Sequence, residues 1–73
     1  MNVDDIIAAV KSHAVAEYEV EGWDFFVECY TDKDYRTAII ENKLDTEEKA
    51  LAWFGKLGRC LNERRNAIQA EIF

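Results

Sequence analysis

Seventy-three residues allow a single domain, 1–73, and a chain this short buries only about 60% of its unfolded surface, so a second copy would be one way to supplement its core. It is 49% hydrophobic with nine aromatic residues, yet no run approaches the roughly 18 apolar residues of a membrane span, and no basic leader precedes the apolar residues of the N-terminus. The net charge of −6 is unevenly spread: residues 1–48 hold thirteen acids against four bases, and residues 49–73 two against five, an asymmetry that suits a basic partner or an oriented pair of copies.

Residues 3–15 read as an amphipathic helix. Val3, Ile6, Ile7, Val10 and Ala14 share one face, Asn2 is placed to cap it, and Asp4 and Asp5 lie in its first turn, where the helix dipole favours negative charge. His13, the only histidine, is expected on the helix surface. It points about 100° away from its neighbour Ser12, which excludes a nucleophile–base pair between them.

From Ala16 to Glu21 the pattern changes to strict alternation, Glu17, Glu19 and Glu21 against Ala16, Tyr18 and Val20, which reads as a strand. Gly22 then marks a turn. Trp23–Tyr30, aromatic and β-branched, reads as a second strand, "TDKD" as a polar turn and Tyr35–Asn42 as a third strand. The short connections imply an antiparallel meander. Asp45 and Glu48 have the spacing of a capping box that opens a last helix, in which Ala50, Leu51, Phe54, Leu57, Leu61, Ile68 and Ile72 keep near-helical spacing. Gly55 and Gly58 interrupt that run, either breaking it or admitting another backbone, and one long or kinked helix is the expectation. The fold class is therefore α+β, in the order α-β-β-β-α, with helices on one face of a three-stranded sheet.

The chain offers little for catalysis. No phosphate-cradling glycine loop is present, and one histidine with two separated cysteines cannot supply a zinc site, so a non-enzyme without metal or cofactor is expected. Cys29 and Cys60 can form at most one bridge and read as buried free thiols in a reducing, intracellular setting. Direct nucleic-acid binding is disfavoured. The element order is also that of the double-stranded RNA-binding domain, but the matching helix start, "DTEEKA", would repel phosphate. Arg59, Arg64 and Arg65 come late in the helix and read as a solvated or dimer-facing basic face.

The acidic comb is the most distinctive feature. Residues i and i+2 of a strand lie about 6.6 Å apart, so Glu17, Glu19 and Glu21 would form a row repeating at roughly every second phosphate of a DNA strand. Asp24, Glu28, Asp32 and Asp34 would widen the row into a patch. The patch is either a docking surface for a basic, nucleic-acid-binding protein or complex, or a solvated face whose charge protects an edge strand. Trp53 and Phe54 read as packing on the sheet, but they cannot both face one way, so Trp53, with Gly55 and Gly58, could form a homodimer interface.

The net acidity at this size, the hairpin "EYEVEGWDFFVE" and the stretch "DTEEKALAWFGKLG" together resemble the small acidic proteins that phages encode against host defences, in particular the anti-CRISPR proteins. That resemblance implies an inhibitor acting in the bacterial cytoplasm, some of whose kind mimic DNA charge on the effector complex, and it assigns no individual contact residue. The alternative is a small homodimeric structural or assembly protein whose helices pack through Gly55 and Gly58. An accessory subunit of a larger enzyme is a third reading.

Overall fold

The computed structural model describes residues 2–72, with side chains described as far as Ile68. Four helices follow one another: α1 (Val3–Ala16), α2 (Trp23–Cys29), α3 (Asp32–Glu41) and α4 (Glu47–Ile72). Among the described residues there is no strand, so the expected α+β class and its three-stranded meander are overturned: the chain is all-α.

The first helix matches its sequence signals. The Asn2 side chain accepts a hydrogen bond from the Asp5 backbone N–H at 2.9 Å, and Ile6, Ile7, Val10 and Ala14 are buried. The next two segments depart from expectation for identifiable reasons. In α2, Trp23, Phe26 and Tyr30 recur at i, i+3 and i+7, and this face outweighs the β preference of aromatic residues. Trp23 and Phe26 are buried, and Tyr30, just beyond the helix end, packs against the same core. In α3 the "TDKD" cluster is a helix start rather than a hairpin turn. Thr31 accepts from the Asp34 N–H while the Asp34 carboxylate accepts from the Thr31 N–H, a reciprocal capping box. Tyr35, Ala38 and Ile39 then supply the buried face.

Helix α3 ends with Lys43 in the left-handed region (φ 53°). The Leu44 N–H donates to the Ile39 carbonyl at 3.0 Å and the Lys43 N–H to that of Ile40 at 3.3 Å, the two bonds of a Schellman cap, with Leu44 and Ile39 both buried. The chain then enters α4 one residue later than expected. Thr46, not Asp45, accepts from the Lys49 N–H at 3.1 Å, and Asp45 forms an ion pair with the Lys49 side chain at 2.9 Å instead. Helix α4 runs without a break through Gly55 and Gly58.

One apolar cluster draws on all four helices. Its centre is aromatic: Phe26 and Phe54 are fully buried and meet edge-to-face with ring centroids 5.3 Å apart, and Tyr30 stands perpendicular to Phe26 at 4.9 Å. Buried pairs of this geometry add about 0.5–1.5 kcal/mol each beyond their area. The Tyr35 hydroxyl donates to the Phe26 carbonyl at 3.1 Å, tying α3 to α2. Ion pairs Asp4–Arg36 and Lys11–Asp32 set α3 antiparallel to α1.

The glycines of α4 answer the question they raised. A Cβ on Gly22, which holds φ 85°, would lie 2.0 Å from the Gly58 carbonyl oxygen, so the entry to α2 crosses α4 backbone to backbone. Gly55 faces the Trp23 indole. The close approach is therefore made within one chain.

Cys29 and Cys60 are exposed rather than buried, because the buried face of α2 is taken by Trp23 and Phe26 and that of α4 by Ala50, Phe54, Gly55 and Gly58. His13 is half-buried, its ring meeting the Trp23 indole edge-on at a centroid distance of 4.7 Å. Among the described residues no helix is long and apolar enough to cross a membrane.

Candidate functional site

The start of α1 borders a groove with Leu44 and Asp45, just ahead of α4, while the corner between α1 and α2 borders another with Asn62 and Arg65. Helices α1 and α4 therefore run in the same direction, and α4 continues past the corner. Its 26 residues span about 39 Å at 1.5 Å per residue, and the molecule is 46 Å long. Beyond Asn62 every described residue of α4 is exposed.

The comb sits at this corner, as a loop rather than a strand. The Glu17 N–H donates to the His13 carbonyl at 2.9 Å, ending α1. Turn bonds from the Val20 N–H to the Glu17 carbonyl (2.9 Å) and from the Trp23 N–H to the Val20 carbonyl (3.2 Å) fold the next residues tightly. The straight row at strand spacing is thus absent, and with it the match to a phosphate repeat. Proximity remains: Glu17, Glu19 and Glu21 occupy one loop, with Tyr18 and Val20 exposed between them at 41% and 50% of their free area.

The four other carboxylates of the expected patch have internal partners. Asp24 pairs with Arg65 at 3.3 Å, linking α2 to α4. Glu28 accepts from the Tyr18 hydroxyl, which pins the corner to α2 and, chiefly through that bond, raises the Tyr18 pKa. Asp32 pairs with Lys11 at 2.7 Å. Asp34 caps α3, and the bonds it accepts from Thr31 hold its carboxyl below the usual carboxylate range. Among the described residues no Lys or Arg nitrogen lies within ion-pair distance of Glu17, Glu19 or Glu21. Those three share one loop and have no ion pair among the described residues, whereas the other four are engaged by the chain itself.

The expected dimer residues are likewise redistributed. Gly55 and Gly58 are buried against α2 of the same chain, and Trp53 is half-buried with its ring 4.8 Å from that of Phe54. The face those glycines present is already filled.

On the other side of Gly22 lies a surface that sequence reasoning missed. Gly22, Phe25, Leu61, Asn62, Arg64, Arg65 and Ile68 line an open groove of about 450 Å³ between α2 and the projecting part of α4. Its lining is largely apolar, and Arg64 and Arg65 border it, the Arg65 guanidinium being held by Asp24 and Asn62. The signal was present as Leu57, Leu61 and Ile68 continuing the apolar stripe beyond the glycines, but only the position of α2 shows where cover stops. Among the described residues no three His, Cys, Asp or Glu side chains gather as metal ligands would.

Comparison with protein-family models, with curated proteins and with solved structures finds no match to this chain.

Proposed function

We propose that this protein is a non-catalytic binding module that docks its acidic α1–α2 corner on a basic surface of a partner protein, of the kind that otherwise holds nucleic acid. The observation that carries this reading is the contrast among the carboxylates. Asp24, Glu28, Asp32 and Asp34 are engaged in the chain's own structure, whereas Glu17, Glu19 and Glu21 follow one another along one loop, without an ion pair among the described residues, beside exposed Tyr18 and Val20. Like charges held together without compensation cost folding stability, and a basic partner recovers that cost on binding. The apolar residues between them supply contact area that salt does not screen. An inhibitor of a nucleic-acid-binding host complex would use such a corner as a stand-in for a short stretch of phosphates, by charge density rather than by register.

The test is affinity capture from a bacterial lysate at low and high salt, with mass spectrometry of what is retained. A basic nucleic-acid-binding protein held at low salt and released at high salt is expected. The Glu17/Glu19/Glu21→Ala variant should lose it, and undiminished capture by that variant would falsify the reading.

A further inference from the structure

The groove along α4 and the acidic corner are neighbours: Gly22, Asn62 and Arg65 border both. One contributes Phe25, Leu61 and Ile68 alongside Arg64; the other contributes Tyr18 and Val20 alongside Glu19 and Glu21. We infer that the two surfaces form one self-complementary interface, through which the protein pairs with a second copy of itself.

A two-fold interface requires a surface that fits itself when rotated by half a turn. A patch divided into an acidic half and a basic half, each with exposed apolar residues, meets that requirement about an axis through its dividing line at Gly22 and Arg65. The corner of each copy then enters the groove of the other. Tyr18 and Val20 cover Phe25, Leu61 and Ile68, while Glu19 and Glu21 meet Arg64, and every contact is made twice. Arg65 stays on its own Asp24, at the axis.

Charge selects this occupant over an unrelated apolar ligand. On a chain of net charge −6, Arg64 lines this groove with no ion-pair partner among the described residues, and Glu19 and Glu21 of the adjoining corner have none either. Such a dimer covers the corner assigned above to a basic partner, so self-association and partner binding exclude one another. The inference goes beyond that reading and is tested without any partner.

The experiment is sedimentation equilibrium over a concentration series with the wild-type chain and two charge-reversed variants, Glu19→Arg/Glu21→Arg and Arg64→Glu, each first shown by circular dichroism to keep its helix content. Wild type should reach twice the 8.5 kDa of one chain. Each variant alone should weaken association at least tenfold, because both halves of its symmetric interface would then oppose like charges. An equimolar mixture should recover the dimer, since reversed corner meets reversed groove and native corner meets native groove. A wild type that stays at one chain's mass, variants that associate like wild type, or a mixture of folded variants that stays monomeric would each overturn the interface. Arg64→Glu keeps all three corner glutamates, so it should lose self-association while retaining the captured partner, which separates this interface from the proposed function.

Discussion

The two parts of α4 share one apolar stripe and have different surroundings. From Ala50 to Gly58 the helix is covered: Ala50 and Phe54 are completely buried, and the backbone at Gly58 touches that of Gly22. From Glu63 to Ile68 it is bare, with Ile68 exposing 59% of its area. Leu57 and Leu61, both half-buried, mark the passage from one to the other. An apolar stripe at helical spacing records which face is meant to be covered, and it is silent on whether the cover comes from the same chain. In the first part the cover is α1 and α2, the latter brought close by glycine. In the second it must come from elsewhere or be absent, and substitutions should separate the two.

The largest effect is expected at the crossing. Gly22→Ala places a methyl group 2.0 Å from the Gly58 carbonyl oxygen and forces an L-residue to φ 85°. The left-handed conformation costs about 1–2 kcal/mol and the overpacking about 1–3 kcal/mol. A loss of about 2–5 kcal/mol in urea unfolding is expected, against a total of roughly 4–11 kcal/mol for a chain of this length. Gly55→Ala should have the opposite sign. Its Cβ would meet the Trp23 Cζ2 at an ordinary 3.5 Å, leaving a helix-propensity gain of about 0.5–1 kcal/mol. If Gly22→Ala proved as benign as Gly55→Ala, the covered part of α4 would not depend on backbone contact, and the contrast between the two parts would fail.

A smaller effect is expected where α3 is tied to the same covered region. Tyr35→Phe removes the hydroxyl that donates to the Phe26 carbonyl, which still accepts from the Tyr30 N–H at 3.2 Å, so about 1 kcal/mol should be lost. Burial, with Tyr30 and Asp32 nearby, pushes the Tyr35 pKa up to about 12 from 10.0. The sign follows directly. Between pH 10 and about 12 the unfolded chain loses this proton and the folded chain keeps it, so the stabilisation is complete below pH 10 and falls as pH rises through that window. Urea midpoints measured across the window should fall less steeply for Tyr35→Phe than for wild type. Equal slopes would mean that Tyr35 is not held neutral by its surroundings.

How much of this was legible in the sequence differs from segment to segment. Helix α1 was fully legible because its cap, its first-turn acids and its periodicity agree. Helices α2 and α3 were misread because residue type was allowed to outrank period. "WDFFVECY" and "YRTAIIEN" are rich in β-favouring residues, yet Trp23/Phe26/Tyr30 and Tyr35/Ala38/Ile39 are helical faces, and Thr31 with Asp34 is a capping box written in the sequence. The alternation at residues 16–21 imitated a strand, but the chain there satisfies its backbone in successive turns between α1 and α2. The candidate site was half legible. That Glu17, Glu19 and Glu21 belong together could be read from their spacing, but the partners of Asp24 and Asp32 lie 41 and 21 residues away in sequence. Gly22 was legible as a turn residue, but its contact was not, because only the distance to Gly58 across the fold shows that its backbone lies against α4.

The smallest expected effect on folding tests the bare part of α4. Ile68→Ser removes an apolar side chain that lines the groove and is not part of the central core. In dilute solution, where a dimer is dissociated, its thermal midpoint should match wild type, since exposed positions away from caps and cores change stability by no more than about 0.5 kcal/mol. At high concentration the two should part. Wild type should gain stability as a second copy covers the groove, because anything that binds only the folded state raises its midpoint by mass action. The serine variant should gain much less. A midpoint that rises equally for both would show that Ile68 lies outside whatever covers this helix. A loss already present at high dilution would show that the stripe of α4 beyond Gly58 belongs to the chain's own core, and that the two parts of the helix do not differ after all.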